Sequence, residues 1–157
     1  MIPDRVRAVL DRYGLTPREF EPGSTPTSPL AAEKLGVSVG QIAKSLLFLG
    51  KDGKLVMVVC AGDRRVSNTR LKELMGTKSR MATADEAEAA TGFRPGGVCP
   101  FGVTTLPIYI DASLAPYDTV YPSCGNDASG VATTYQRLLT ITGGQPCDVC
   151  EASQGPT

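Results

Sequence analysis

The sequence predicts a mixed α/β fold in a single domain. The chain has 157 residues, which is the size of one ordinary domain with its own core. Hydrophobic residues make up 41% of it, as in globular proteins. Strand-like apolar runs and amphipathic helical segments are interspersed along the chain, and this arrangement is typical of mixed α/β domains. Because no repeat or internal linker interrupts the pattern, one domain is expected over residues 1–157.

Helix signals recur in each part of the chain. They are apolar residues three and four apart, a Ser or Thr that can cap the N-terminus, and a glycine after the last turn. These signals predict helices over 2–13, 30–36, 68–75, 83–91 and 135–142. Ser38 and Gln41 have the spacing of a capping box, which predicts a helical turn that begins at Ser38 and brings Lys44 near its end.

Strand signals lie between these helices. Two apolar runs flank Asp52 and Gly53, the strongest short signal of a β-hairpin, and they predict strands over 45–50 and 54–60. Clusters of Pro, Gly, Ser and Thr predict loops over 21–29 and 93–102. The remaining expectations are strands over 106–111, 118–123 and 131–134, a terminal strand that holds Cys147 and Cys150, and a tail after Cys150 that frays.

Charge and composition exclude several classes of function. Sixteen basic and 16 acidic residues give a formal net charge of +0, whereas a protein that coats DNA is usually basic. No apolar run approaches the ~20 residues of a membrane span, and no signal-peptide pattern opens the chain, so a cytoplasmic protein is expected. The absence of histidine removes Ser-His-Asp and Cys-His catalysis and His-ligated zinc. Neither a metal nor a cofactor is expected.

Lys44 is the one charged residue in the run GQIAKSLLFLG, from Gly40 to Gly50. A lysine in such a run can lay its stem on apolar surface and keep its ammonium in water. It can also face a cleft, where it binds phosphate as a point charge or forms a Schiff base with a carbonyl compound. The position of the residue leaves these interpretations open.

The segment GGVCPFG, residues 96–102, is a second candidate. Adjacent glycines allow close approach of the backbone to a ligand, or a positive φ. Backbone groups of such a loop can stabilise an oxyanion without side chains. The alternative is an ordinary tight loop between a helix and a strand.

Two further patterns are weaker. Residues 63–80 contain six basic and two acidic residues, which indicates either a solvated face or a small phosphate-binding patch. The pair Cys147 and Cys150 forms one CxxC among five cysteines, and without histidine or a second pair it is at best half of a zinc site. An odd cysteine count in a chain of this size also argues against a disulfide framework.

Five segments, taken in order, resemble the YbaK / prolyl-tRNA-synthetase editing-domain family. They are GQIAKSLLF, VMVVCAGDRRV, ATADEAEAATGFRPGGVCPFG, PIYIDASL and LLTITGG. The most specific pieces are the lysine of QIAKSL and the GxxxP pattern of Gly96–Pro100. The resemblance covers about residues 25–150 and implies a strongly curved mixed sheet flanked by helices.

The resemblance implies a free-standing deacylase that hydrolyses the ester bond of mischarged aminoacyl-tRNA, chiefly Cys- or Ala-tRNA(Pro). It implies that Lys44 holds the 3′-terminal adenosine end of the tRNA. It also implies that Gly96, Gly97 and their loop bind the aminoacyl group and orient water. The implied partners are the acceptor end of aminoacyl-tRNA and a prolyl-tRNA synthetase, with no membrane and no DNA.

The same resemblance adds candidate substrate-binding residues: Val98, Cys99, Pro100, Phe101, Gly102, Asp63, Thr27 and Gly125. Cys99 stands where the family often has Ser or Ala, and its thiol invites an interpretation as a nucleophile. Because the chain has no histidine to activate the thiol, Cys99 is not expected to react. Hydrolysis of an activated ester by a positioned water needs no protein nucleophile.

Two other functions stay open. One is a non-catalytic relative that binds tRNA or a synthetase, although the retention of both Lys44 and the Gly96–Pro100 loop argues against it. The other is a Schiff-base enzyme in which Lys44 reacts with a small carbonyl compound. Borohydride trapping would detect the second, and a deacylation assay would separate the first from an active hydrolase.

Overall fold

The structure is a computed structural model that describes residues 1–153. Over those residues the chain forms five helices: α1 (Asp4–Arg12), α2 (Ser28–Leu35), α3 (Asn68–Met75), α4 (Ala84–Thr91) and α5 (Tyr135–Thr142). It also forms ten strands: β1 (Pro17–Glu19), β2 (Ile42–Gly50), β3 (Leu55–Ala61), β4 (Arg64–Val66), β5 (Ser79–Met81), β6 (Ile108–Asp111), β7 (Tyr121–Pro122), β8 (Ser129–Val131), β9 (Gln145–Cys147) and β10 (Cys150–Ala152). The mixed α/β class is therefore confirmed, whereas the strong curvature of the sheet and the outer limits of the domain stay predictions.

The central sheet is built around the β2–β3 hairpin. Its strand order is β5-β2-β3-β6-β9. Strand β7 also pairs with β2, on the same edge as β5. Strands β3 and β5 run antiparallel to β2, whereas β7 runs parallel to it. Two smaller antiparallel pairs, β1 with β8 and β4 with β10, lie outside this sheet.

One edge of β2 is covered only at its ends. The β7 ladder reaches Ile42 and Ala43, and the β5 ladder runs from Phe48 to Gly50. Residues 44–46 therefore face an opening between two neighbouring strands, since the Leu47 carbonyl accepts from the Ala82 amide. We call this opening the sheet gap. The other edge of β2 is paired with β3 along almost its whole length, from Ala43 to Leu49, so the gap is one-sided.

Two hydrophobic clusters pack against the sheet. The main cluster combines Val6 and Leu10 of α1, Phe93 and Phe101 of the loop between α4 and β6, and Leu138 of α5. Residues of the strands complete this cluster. The second cluster contains Leu71 of α3 and the buried residues Val58, Cys60 and Cys150. The hairpin thus has apolar side chains on both faces, as expected of a strand that is covered on both sides.

The predicted helices are present because their end signals are local. The predictions over 68–75 and 135–142 match the bounds of α3 and α5. Thr83 caps α4 as predicted, with its hydroxyl accepting from the Glu86 amide at 3.1 Å and the Glu86 carboxylate accepting from the Thr83 amide at 2.8 Å. Gly92 follows α4 in the left-handed conformation, φ 78°, which glycine adopts without steric cost.

Lys44 does not lie near the end of a helical turn, so that prediction is wrong. The turn is a single 3-10 turn, Val39–Gln41, and Ile42 already belongs to β2. Pairing of β2 with β3 and β7 extends this strand three residues earlier than the predicted start at 45. These pairings are non-local and leave no signal in the segment itself.

Other strand boundaries also differ from the predictions. The strands predicted over 106–111, 118–123 and 131–134 are shorter or displaced and correspond to β6, β7 and β8. The short strands β1, β4 and β5 carry no apolar alternation, and no sequence signal predicts them. The expected fraying after Cys150 is wrong for Glu151 and Ala152, which pair with β4. The end of that tail, 154–157, lies outside the described residues.

Candidate functional site

A cavity of about 350 Å³ opens at the sheet gap. Strand β2 forms its floor through residues 42–47, and the starts of α2 and α4 form two of its walls. The loop residues Pro95, Gly96 and Val98 close a third side, and Tyr121 of β7 and Ser123 just after that strand also line the cavity. The cavity therefore brings together segments that are far apart in sequence, which is the usual setting of a ligand site.

Lys44 supplies the one charged side chain in the cavity lining formed by residues 1–153. Its ammonium donates a hydrogen bond to the backbone carbonyl of Arg64 in β4. An ammonium has three donors, so two remain for a ligand. Because no carboxylate lines the cavity in the described part of the chain, the positive charge of Lys44 is not neutralised within the lining.

Two helix N-termini reinforce this positive potential. Thr27 caps α2, with its hydroxyl accepting from the Leu30 amide at 3.4 Å, and both Thr27 and Ser28 line the cavity. Thr83 and Ala84 place the start of α4 on the opposite wall. Free amides and the helix dipole make such ends favourable for anions.

An ion pair holds β5 against the start of α4. The Arg80 guanidinium donates to both carboxylate oxygens of Glu86, at 2.7 and 2.9 Å. This hydrogen bonding lowers the pKa of Glu86 to about 2. Glu86 is engaged twice, by Arg80 and by the Thr83 amide, so its charge supports the cavity wall.

The glycine loop enters the cavity at Gly96. Gly96 has φ +85°, and a Cβ added there would lie 3.1 Å from the Pro26 Cα. The amides of Gly96 and Val98 donate no hydrogen bond to another group of residues 1–153. The Val98 carbonyl accepts from the Ser123 hydroxyl at 3.1 Å, which fixes the loop to the segment that follows β7.

A buried polar network supports the far wall. The Ser129 hydroxyl donates to the Asn126 side-chain oxygen at 2.6 Å and accepts from the Cys124 amide at 3.2 Å. The Ser129 amide donates to the Thr25 hydroxyl at 3.2 Å. Thr25 is 4% exposed and Ser129 is 2% exposed, so these partners satisfy groups that would otherwise be costly to bury.

The sequence comparison decides which family this architecture belongs to. The family model described as "Aminoacyl-tRNA editing domain" matches residues 23–141, most of the chain. This chain belongs to the aminoacyl-tRNA editing domain family. Proteins of this family are aminoacyl-tRNA deacylases, hydrolases of the ester bond of mischarged tRNA. The predicted family and enzyme class are therefore confirmed.

Relatives of this editing domain differ in length. YwhH of Bacillus subtilis (strain 168), named as uncharacterized, is 39% identical, covering 85% of this chain and 85% of its own length. EbsC of Enterococcus faecalis, named as a candidate Cys-tRNA(Pro)/Cys-tRNA(Cys) deacylase, is 28% identical, covering 75% of this chain and 73% of its own. A proline--tRNA ligase of Solidesulfovibrio magneticus is 34% identical over 83% of this chain, but the match spans only 24% of the ligase.

A solved structure matches the fold as a whole. It is the crystal structure of a candidate trans-editing enzyme for prolyl tRNA synthetase, and it superimposes with a TM-score of 0.84 at 34% identity. The match covers 97% of this chain and 100% of that chain. The fold of this editing domain is thus shared with a protein of almost the same extent.

The structure brings four of the predicted site residues of the editing domain to the cavity. They are Lys44, Thr27, Gly96 and Val98. The other seven lie outside its lining: Gly97, Cys99, Pro100, Phe101, Gly102, Asp63 and Gly125. Gly97 packs against the backbone of Gly125 and Asn126, within 3.0 Å of an added Cβ, so it shapes the loop from behind. Asp63 is exposed, and its carbonyl accepts from the Ser153 hydroxyl at 2.9 Å.

Cys99 and Phe101 belong to the main hydrophobic cluster rather than to the cavity surface. They are 0% and 1% exposed, because the loop turns inward after Val98. Burial raises the pKa of the Cys99 thiol well above its ordinary value. Since the thiolate is the nucleophilic form, this environment disfavours attack by Cys99 on an ester.

We expect Cys99→Ala to retain most of the deacylase activity and to lose stability. The substitution removes a buried sulfur from the core, which should cost about 1 kcal/mol in the free energy of unfolding. Urea denaturation and steady-state deacylation on the same preparation would measure both effects. A dead but fully folded Cys99→Ala protein, with an aminoacyl adduct on wild-type Cys99 in rapid-quench mass spectrometry, would contradict this expectation.

The polar lining residues that sequence reasoning missed include Thr25, Ser45, Tyr121, Ser123 and Ser129. Ser45 directly follows Lys44, so the QIAKSL motif itself could have pointed to it. The other four reach the cavity through the β1–β8 and β2–β7 pairings, which no local pattern encodes.

Proposed function

We propose that this protein is a trans-acting deacylase that removes a small amino acid from mischarged tRNA(Pro), with cysteine and alanine as the leading substrates. The observation that carries this proposal is the shared cavity of Lys44 and the Gly96 loop, which has apolar walls and no carboxylate within residues 1–153. Action in trans is supported by relatives such as YwhH, because the match covers 85% of the length of YwhH and so leaves little room in that protein for a synthetase.

The proposed mechanism gives each motif one task. Lys44 holds the 3′ end of the tRNA through its two remaining ammonium donors, aided by the starts of α2 and α4. The backbone of the Gly96–Pro100 loop orients a water for attack on the ester carbonyl, because the Gly96 and Val98 amides are free of partners within residues 1–153. Positioning and preformed dipoles of this kind can accelerate ester hydrolysis without a protein nucleophile.

The proposed partners and location follow from that activity. The acceptor end of aminoacyl-tRNA is the proposed substrate. A prolyl-tRNA synthetase is a second proposed partner, because proline--tRNA ligases are among the relatives of this chain. In residues 1–153 no helix is long and apolar enough to cross a membrane. We place the activity in the cytoplasm, where aminoacyl-tRNA is used.

A panel of charged tRNAs tests the proposal. Purified protein is incubated with tRNA(Pro) charged with Cys, Ala, Ser or Pro, and the remaining ester is measured over time against a sample without enzyme. We expect Cys- or Ala-tRNA(Pro) to be hydrolysed and Pro-tRNA(Pro) to be spared. Hydrolysis of none of the four, with tight binding of tRNA, would instead favour a non-catalytic binder.

Binding of tRNA should depend only moderately on salt. The cavity offers one lysine and two helix starts, so we expect about two to four phosphate contacts and a log–log slope of about −1.5 to −3.5. Filter binding of uncharged tRNA(Pro) between low and moderate salt would measure the slope. A much steeper slope would show a broad basic surface and contradict an acceptor-end contact.

A further inference from the structure

The sheet gap exposes peptide groups of β2 to the cavity, and the hydrogen-bond register shows which ones. The Gly50 amide donates to the Lys54 carbonyl at 2.9 Å, so the even-numbered residues of β2 turn their peptide groups towards β3. The Ala82 amide donates to the Leu47 carbonyl at 2.9 Å, so the odd-numbered residues turn theirs towards the opposite edge. Alternation of this kind is inherent in an antiparallel ladder.

Ser45 lies in the middle of the gap and is odd-numbered. It stands opposite Val59, and this pair is a non-hydrogen-bonded one because Lys44 and Leu46 carry the bonds to β3. The β7 ladder ends at Ala43 and therefore does not reach Ser45. Within residues 1–153 the Ser45 amide and carbonyl thus have no backbone partner, and they face the cavity.

The Ser45 side chain adds an independent observation. Its hydroxyl is buried and has no hydrogen-bond partner among the described residues. A buried polar group without a partner is costly, and the Ser45 amide and carbonyl beside this hydroxyl also lack a protein partner among the described residues. Such a concentration is unusual in a folded protein and marks a site that a ligand completes.

We infer that the aminoacyl group of the substrate adds to the sheet gap as a single strand residue, an inference that rests on the proposed function. Its α-amino group donates to the Ser45 carbonyl, and its ester carbonyl oxygen accepts from the Ser45 amide. This is the pattern by which two opposed residues exchange hydrogen bonds in an antiparallel sheet. The water oriented by the Gly96 loop then attacks a carbonyl whose developing negative charge faces the Ser45 amide. The bond from the carbonyl carbon to the ribose oxygen breaks, and a proton from the water passes to that oxygen, so the tRNA leaves with a free ribose hydroxyl and the amino acid leaves as a carboxylic acid.

The chemistry of the lining supports this occupant. An aminoacyl ester carries a cationic or neutral amino group, yet no carboxylate lines the cavity within residues 1–153. Backbone carbonyls are then the acceptors for that amino group, and the Ser45 carbonyl is free for the task. The gap from Ala43 to Leu47 spans about 13 Å, at about 3.3 Å for each strand residue, which accommodates an aminoacyl ester between β7 and β5.

Replacement of single backbone amides by esters tests the inference. Incorporation of the α-hydroxy acid analogue at Ser45 removes its N–H and keeps the side chain. We expect kcat/KM for the tRNA that the wild type hydrolyses to fall about tenfold to a hundredfold. The affinity for uncharged tRNA(Pro) should not change, and the melting temperature should lie above that of the control described next.

The same replacement at Leu49 is a matched control. Leu49 pairs with Arg80 of β5 outside the gap, so its ester removes a hydrogen bond of the sheet. Each ester also weakens the preceding carbonyl, of Lys44 or Phe48, and both of these carbonyls face β3, so this effect is common to the two proteins. The Leu49 ester should melt lower than the Ser45 ester and hydrolyse the substrate at the wild-type rate.

The outcomes separate this inference from the proposed function. Equal kcat/KM for the two esters, with an active wild type, would overturn the inference alone. Weaker binding of uncharged tRNA(Pro) by the Ser45 ester would also overturn it, because the gap would then hold the terminal adenosine. A wild-type protein that hydrolyses no aminoacyl-tRNA would overturn the proposed function and the inference together.

N-acetylation of the substrate gives a second measurement. Acetylation removes the charge of the α-amino group and adds bulk where the Ser45 carbonyl should meet it. We expect N-acetyl-aminoacyl-tRNA to be hydrolysed at least tenfold more slowly than its free counterpart by the wild type. Equal rates for the two substrates would contradict the assignment of the Ser45 carbonyl to the amino group.

Discussion

Lys44→Ala should lower kcat/KM for deacylation by roughly thirty- to a thousandfold, equivalent to about 2–4 kcal/mol of transition-state binding. Lys44 supplies the one charged side chain in the cavity lining of the described chain. In the proposed mechanism Lys44 contacts a phosphate in a partly dry site, and its removal leaves that anion without its partner. The fold should survive, because the backbone of residue 44 still pairs with Cys60 of β3.

Measurements on two further variants make this expectation specific. Lys54→Ala removes an exposed lysine at the hairpin turn and should leave the deacylation rate unchanged. Lys44→Arg keeps the charge but alters the donor geometry, and it should recover part of the activity. A folded Lys44→Ala protein with wild-type turnover would remove Lys44 from the mechanism. Irreversible labelling of wild-type Lys44 by borohydride with a carbonyl compound would favour a Schiff-base enzyme instead.

Gly96→Val should abolish measurable hydrolysis. Gly96 has φ +85°, a conformation that β-branched residues adopt only as genuine outliers. A Cβ at this position would also stand 3.1 Å from the Pro26 Cα, so the loop must move away from the cavity wall. Steady-state deacylation, with circular dichroism to verify the fold, would measure the effect.

Gly143→Val is the matched control for Gly96→Val. Gly143 also has a positive φ, +67°, but an added Cβ meets no atom of the described chain within 4 Å. It follows α5, and it does not line the cavity. The control should therefore lose stability from backbone strain alone and retain activity. Normal hydrolysis by a folded Gly96→Val protein would show that the loop is not part of the site.

The helices were predictable because their ends carry local chemistry. Thr83 with Glu86, and Ser67 before α3, cap their helices through side chains within three residues. The hairpin was predictable for the same reason, since Asp52 and Gly53 define its turn. Lys44 and the Gly96 loop were recognisable as motifs, and the structure places them on one cavity.

The remainder of the site depends on contacts between distant segments. The strand position of Lys44 follows from the pairing of β2 with β3 and β7, and the sheet gap exists only because β7 and β5 stop short of each other. Cys99 lies away from the cavity lining because the direction of a loop side chain is set by packing, and this loop packs its thiol and Phe101 into the main cluster. Sequence patterns reveal the periodicity of single helices and strands. The pairing of β2, the sheet gap and the direction of the Cys99 side chain depend on contacts between segments and leave no periodic pattern.

The sheet gap also bears on strand pairing between molecules. An open strand edge is a template for pairing with another chain and a common origin of aggregation. Here β7 and β5 shield both ends of the opening, and the exposed stretch is only about 13 Å long at the usual strand rise. A strand from a neighbouring molecule finds only this short stretch to pair with, whereas a single amino acid, the occupant proposed above, needs no more. Unpaired backbone groups can thus be offered to a small ligand by an edge that gives a second strand few hydrogen bonds.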